Sequence, residues 1–276
     1  MQERLTPYPE LDVVLKDHGQ RIRDVLGDNF VGLYLNGSMA IGDFDLTSDV
    51  DFIVVIKDDL SEKQVKDIQE AHLQTYGQDN RWVRRIEYSF FPEQVLRQKT
   101  APFKYSDYDV LEDRKLWYFD NGHKTIKRSE HDNSLVVRWT VREKGKAVFG
   151  PDPKTLIDPI NPDDLRIEIK SILVGWGEDL IEDPAPFKNR FYQAYLVLNY
   201  CRMLQDLHEG RITSKLEGIN WAKANLDPKW RPLIDFCWEE RQNTEISVTQ
   251  PANEEVFKRT MEFVKYAVEE GKRFTI

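Results

Sequence analysis

Asp49 and Asp51 stand two residues apart at the head of an apolar run, Phe52 to Ile56, and a Gly-Ser pair, Gly37-Ser38, follows an earlier apolar run. In extended backbone, residues two apart point to the same face, so the pair presents two carboxylates side by side. Like charges that close repel unless something positive sits between them. A hard divalent cation such as Mg²⁺ satisfies both, and it is commonly held by one or two carboxylates together with substrate phosphates. The Gly-Ser segment has the character of a turn that cradles phosphate with backbone N–H groups. Asp-Val-Asp alone would read as an acidic turn before an ordinary core strand. The combination with Gly37, Ser38 and Ser48 is what points to chemistry.

The elements that must position these residues follow from periodicity. Leu11, Val14, Leu15, Ile22, Val25 and Leu26 recur at helical spacing over residues 10–27. His18 lies on or near that stripe and reads as a partly buried structural histidine. Phe30 to Leu35 reads as a strand leading into Gly37-Ser38, and residues 49–56 read as the next. A helix is predicted over 60–76 and a third strand over 82–91, rich in aromatic and β-branched residues. Glu87 falls within that third strand. Spacing leaves two readings open: a third acid in the Asp49/Asp51 cluster, or a solvent-facing Glu alternating with Ile86 and Tyr88. Residues 124–145 are expected to be helical. A proline-punctuated connector, from Gly150-Pro151 through Pro159 and Pro162, marks a domain boundary. Beyond it five helices are predicted, near 162–180, 187–208, 214–226, 230–241 and 254–272, which is the pattern of a helical bundle.

Composition narrows the function. The chain has 276 residues, 40% of them hydrophobic, with net charge −9 and pI about 5.2. That acidic balance argues against gripping a nucleic-acid backbone, for which a basic face is the usual footprint. Together with Glu178, Asp179, Glu182 and Asp183 it points to a small cationic partner. Cys201 and Cys237 lie in apolar helical patterns and read as buried free thiols in a reducing compartment. The segment after Met1-Gln2-Glu3-Arg4 lacks the apolar core of a secretory leader, and no apolar run reaches membrane-spanning length. A cytoplasmic, monomeric protein with no membrane or nucleic-acid partner is expected.

Gly37-Ser38, Gly42 and Ser48-Asp49-Val50-Asp51 resemble the signature of the polymerase-β-like nucleotidyltransferase superfamily: Gly-Ser, a short spacer, then Asp-x-Asp at a strand head. Most of the chain is similar to the streptomycin/spectinomycin branch of the aminoglycoside nucleotidyltransferases. The matching segments are Arg85-Ile86-Glu87, Val141-Arg142-Glu143-Lys144-Gly145, Val148-Phe149-Gly150-Pro151, Leu156-Ile157-Asp158-Pro159, and Arg202 with Gly210-Arg211-Ile212-Thr213-Ser214-Lys215 and Trp221-Ala222.

The resemblance implies an α+β fold: a nucleotidyltransferase domain built on a small mixed sheet over residues 1–150, then the helical domain over 151–276. It implies two Mg²⁺ ions on Asp49 and Asp51 with Glu87 completing the cluster, and Glu87 as general base. Gly37, Ser38 and Ser48 would bind ATP phosphates, joined by Lys215 and Arg202. On sequence alone Lys215 is one surface lysine among many, and Arg202 an arginine in an apolar helix that needs an anionic or carbonyl partner. The implied reaction moves AMP from ATP to a hydroxyl of an aminocyclitol-like acceptor, with antibiotic resistance as its outcome. The region before the second long helix, residues 183–192, departs from the branch: the acids Glu178, Asp179, Glu182 and Asp183 lie earlier, and the positions nearest the helix are basic or aromatic where the branch places drug-contacting acids. Two other readings of the same residues are a protein-modifying nucleotidyltransferase of the antitoxin type and a non-catalytic nucleotide sensor.

Overall fold

A computed structural model describes residues 4–97, 104–107 and 111–276. The chain divides into two units, with the division near Pro159; Asp45–Thr47 and 104–107 group with the second. The first contains, in chain order, α1 (Pro9–Leu26), β1 (Phe30–Leu35), α2 (Gly37–Ile41), β2 (Val50–Ile56), α3 (Glu62–Tyr76), β3 (Ile86–Pro92), α4 (Glu93–Arg97), β4 (Leu116–Phe119), β5 (Lys127–Ser129), α5 (Leu135–Lys144) and β6 (Ala147–Phe149). Local chemistry sets the helix ends. Pro9 opens α1 at a position where its missing N–H costs nothing. Ser61 and Gln64 close a reciprocal capping box on α3.

The strands form one mixed sheet in the order β5-β4-β3-β2-β1-β6. β2 and β3 pair in parallel, and the other neighbours are antiparallel. A parallel pair needs a crossover, and α3 supplies it. Alternation along β2 divides its side chains between two cores. Phe52, Val54 and Ile56 join Leu11, Leu15, Ile22 and Ile68 of α1 and α3 on one face. Ile53 and Val55 join Phe91, Val137 and Val141 on the other, against α5. Asp51 therefore shares the α5 face with Ile53 and Val55, and Glu87 shares it with Ser89 and Phe91.

The α+β class expected from the resemblance is what the chain adopts, with differences in detail. The third strand starts at Ile86, because residues 82–85 form a turn closed by the Arg85 N–H on the Trp82 carbonyl at 3.0 Å. Trp82, fully buried, anchors that turn against Tyr8 and Phe44. The continuous helix expected over 124–145 is not formed. β5 occupies its start, and the helix begins only at Leu135, where Ser134 accepts the Val137 N–H as N-cap. The first unit also runs past Gly150, because Leu156 and Ile157 are buried in its second core.

The second unit carries α6 (Pro162–Glu182), α7 (Arg190–Glu209), α8 (Lys215–Asn225), α9 (Arg231–Arg241) and α10 (Glu254–Arg273), matching the five helices expected. Asn161, Asn189, Ser214 and Asn253 cap four of them with side-chain oxygens. α7 runs through the core; Leu196, Val197, Tyr200 and Cys201 are buried and pack with Leu173, Ile234, Phe263 and Val264. α8 crosses α7 closely because Gly218 lacks a side chain: a Cβ there would lie 2.6 Å from the Arg202 Cα. Cys201 and Cys237 are free and buried. No described helix is long and apolar enough to cross a membrane.

Two histidines test the packing of the first core. His18 and His72 are each 1% exposed, with ring centroids 5.7 Å apart. His18 Nδ1 contacts Thr75 Oγ1 at 2.9 Å, and His72 Nε2 contacts the His123 carbonyl at 3.1 Å. Burial pushes His18 down to about 3 and His72 down to about 4 from the ordinary 6.5. Both stay neutral in the folded chain, whereas the unfolded chain protonates them below pH 6.5. Their contribution is thus complete above pH 6.5 and is lost as pH falls toward the folded values. We expect His18→Leu to lose roughly 2–4 kcal/mol less stability than the wild type between pH 7 and pH 4. Urea unfolding at the two pH values measures this; equal losses would contradict it.

Candidate functional site

The site is built where β1 ends and β2 and β3 begin, on the α5 face. β1 hands the chain to Asn36, whose N–H donates to the Asp51 carbonyl at 2.9 Å, and then to Gly37 and Ser38 at the start of α2. The expected Gly-Ser turn is therefore a short helical turn. It ends at Gly42, whose N–H returns to the Ser38 carbonyl at 2.9 Å. Gly37 has φ +54°, and a Cβ there would lie 2.2 Å from Asp51 Oδ2. Only a residue without a side chain lets this backbone lie against the carboxylate.

The parallel register places Asp51 opposite Glu87. Asp49 lies just before β2, two residues from Asp51. Ser48 is buried, and its carbonyl accepts the Arg85 Nη1 at 3.3 Å, while the Val50 N–H reaches the Arg85 carbonyl at 2.8 Å. These bonds tie the Asp-Val-Asp segment to the head of β3. The structure thus brings Gly37 beside Asp51 and Asp51 beside Glu87, with Ser38, Ser48 and Asp49 in adjoining backbone.

Hydrogen-bond donors surround the carboxylates. Tyr118 on β4 donates to Glu87 Oε1 at 2.6 Å, and Asn121, in the turn after β4, donates through Nδ2 to Asp49 Oδ1 at 2.6 Å. His131 Nε2 lies 3.4 Å from the same Glu87 Oε1. Its hydrogen bond to Glu87 raises the imidazole to about 9, against the pull of burial, although 60% of its side chain faces solvent. Burial, reinforced by Glu87, pushes the Tyr118 hydroxyl far above its usual range, so it remains a donor. Burial also raises Asp132, which accepts the Ser89 hydroxyl at 2.5 Å. One ligand atom from each of Glu87, His131 and Asp132 lies within 4.8 Å of the others.

A divalent cation fits this donor set. Asp49, Asp51 and Glu87 offer hard oxygen ligands, with Asp51 and Glu87 opposite one another across β2 and β3, Asp49 two residues from Asp51, and the Gly37 backbone packed against the Asp51 carboxylate.

Lys215 and Arg202 belong to the second unit. Lys215 is the first residue of α8, after the Ser214 cap, and its Nζ lies 5.1 Å from the centre of the Tyr195 ring. Arg202 donates to Asn199 Oδ1 at 3.0 Å and lies in the field of Asp206. Burial pushes the Asp206 carboxyl up to about 7, opposed by Arg202 and by the hydrogen bonds from Thr213. The acids singled out in the sequence have structural partners: Glu178 pairs with Lys272 at 3.1 Å, and Asp179 accepts the Tyr105 hydroxyl at 2.7 Å. Glu182 lines a concavity of about 400 Å³ with Glu178, Lys265 and Lys272.

Sequence reasoning missed Tyr118, Asn121, His131 and Asp132. The signal for the first two was present: Leu116-Trp117-Tyr118-Phe119 is strand-like, and Asp120-Asn121-Gly122 is a turn.

Residues 20–157 match the nucleotidyltransferase domain family, and residues 155–270 match the aminoglycoside adenylyltransferase C-terminal domain. The spectinomycin 9-adenylyltransferases of Staphylococcus aureus strains Mu50 and N315 are 27% identical over 226 residues, covering 78% of this chain and 79% of theirs. The fold is similar to the crystal structure of spectinomycin adenyltransferase AAD(9) from Enterococcus faecialis with ATP and spectinomycin. The TM-score is 0.69 at 19% identity, over 95% of this chain and 99% of that one.

Gly37→Ala tests the cradle. The left-handed φ and the approach to Asp51 should together weaken Mn²⁺ binding by at least about 10-fold, with folding retained. Electron paramagnetic resonance titration of Mn²⁺ measures this; unchanged affinity would contradict it.

Proposed function

This chain belongs to the nucleotidyltransferase domain family, and on that premise we propose that it transfers AMP from ATP to a hydroxyl of a spectinomycin-like aminocyclitol, releasing pyrophosphate. The observation that carries the reading is the Asp51–Glu87 register pair, with Gly37 held against Asp51. The choice of acceptor draws on the match to the aminoglycoside adenylyltransferase C-terminal domain and on the Staphylococcus aureus relatives. The net charge of −9 suits a cationic acceptor.

In this reading Gly37 and Ser38 hold the β- and γ-phosphates, and Asp49, Asp51 and Glu87 are the residues that would hold two Mg²⁺ ions, which would supply charge neutralisation at the phosphates and at the leaving pyrophosphate. Glu87 takes the proton of the acceptor hydroxyl as its oxygen bonds to the α-phosphorus. The bond from the α-phosphorus to the bridging oxygen breaks, and its electron pair departs with pyrophosphate. Tyr118 and His131 steady the Glu87 carboxylate as it does this. Ser48, Lys215 and Arg202 are assigned to the nucleotide on family resemblance alone. Resistance to an aminocyclitol antibiotic follows if the acceptor is the drug itself. A monomer in the cytoplasm, where ATP is abundant and thiols stay reduced, suits the reaction.

Pyrophosphate release with ATP, Mg²⁺ and a panel of aminocyclitols and aminoglycosides tests the proposal. Release dependent on spectinomycin is expected, and Asp51→Ala should abolish it with the fold intact. Glu87→Gln should still bind ATP and turn over roughly 10²–10⁴-fold more slowly. Undiminished release by Asp51→Ala would remove the metal assignment; full activity in Glu87→Gln would remove the base assignment.

A further inference from the structure

We propose that Tyr118 and Asn121 are positioning residues, each fixing one oxygen of a metal-binding carboxylate so that the other is aimed at the ion. The inference rests on the functional reading above and adds to it a role for β4 and the turn that follows.

The placement comes from register. β4 runs antiparallel to β3 with Tyr118 opposite Ser89. Glu87 is the diagonal neighbour of Tyr118 on the same face, a separation that a long aromatic side chain spans. The terminal torsion of a glutamate is broad, so packing alone does not fix the rotation of its carboxylate. A short hydrogen bond does. The Tyr118 hydroxyl has one proton and two carboxylate neighbours, Glu87 Oε1 at 2.6 Å and Asp120 Oδ1 at 3.4 Å. The shorter contact takes the proton. His131 Nε2 approaches the same Oε1 at 3.4 Å, so both donors converge on one oxygen and turn Oε2 away from them.

Asn121 does the same for Asp49. Its Nδ2 donates to Oδ1 at 2.6 Å, and only the amide NH₂ end can donate to a carboxylate. Gly122, at φ +72°, turns the chain immediately afterwards. Residues 118–121 thus bracket acids from two separate places, β3 and the lead-in to β2. Partners of this kind commonly change metal affinity or activity by 10–100-fold when removed.

The experiment compares Tyr118→Phe, Asn121→Ala and the control Lys127→Ala. The control breaks the exposed Lys127–Asp120 pair at 2.8 Å in the same hairpin. Three measurements are made: Mn²⁺ affinity by electron paramagnetic resonance with a non-hydrolysable ATP analogue, steady-state kinetics giving kcat and KM for ATP, and the unfolding midpoint. Asn121→Ala should weaken Mn²⁺ binding about 10–100-fold. Tyr118→Phe should lower kcat by a similar factor while KM for ATP and the midpoint hold. Lys127→Ala should match the wild type in all three. Wild-type Mn²⁺ affinity and kcat in both site variants would overturn the inference, as would losses that merely track the midpoint or recur in Lys127→Ala. If the wild type binds no Mn²⁺ in an Asp51-dependent way, the functional reading fails and the inference falls with it.

Discussion

Asp51 and Glu87 face one another across a parallel strand pair, and the repulsion between them is the constraint around which the site is arranged. Neighbouring strands lie about 4.8 Å apart. Like charges directly opposite one another across a strand pair are destabilising. Nothing in strand pairing relieves this. The chain answers with donors from outside the pair: Tyr118 and His131 toward Glu87, and Asn121 toward the nearby Asp49. In the proposed function, a divalent cation on the same carboxylates would complete the balance.

The sheet makes that arrangement unavoidable once its register is set. Phe52, Val54 and Ile56 must enter the core beneath α1 and α3, and a slip by one residue would expose all of them. The same alternation commits Asp51 and Glu87 to the α5 face. The residues leading into α5 deliver His131 and Asp132 there, and β4 delivers Tyr118. Apolar burial on both faces of the same two strands fixes the register, and that register sets the charged groups at the strand heads on the α5 face.

Much of this was legible in the residues. Helical spacing in α1, α3, α6 and α10 is strong, because each repeats its apolar stripe over several turns. β1 and β2 announce themselves as apolar runs beside Gly37-Ser38 and Asp49-Asp51. The shorter strands do not. β4 has four residues, and β5 and β6 have three each, too few for period-two alternation to stand out. Lys124 to Gly145 misled because the apolar stripe of α5 is genuine, while the Ser134 cap that starts it lies in the middle of the segment. Spacing alone left Glu87 open, and the resemblance assigned it to the cluster, since its role depends on which strand lies beside it and register is a tertiary property. Tyr118 and Asn121 escaped notice for the same reason: their importance lies in what they touch.

In the second unit, the partner that an arginine in an apolar helix requires is found in Asn199 and the field of Asp206. The central claim concerns the first unit, that Asp49, Asp51 and Glu87 together hold a divalent cation. A crystal grown with Mn²⁺ and a non-hydrolysable ATP analogue, measured for anomalous scattering, tests this most directly. A manganese peak bonded by the carboxylates of Asp49 and Asp51, with Glu87 in its coordination, is the expected result. A fully occupied nucleotide with manganese bound away from these residues, or with none, would contradict it.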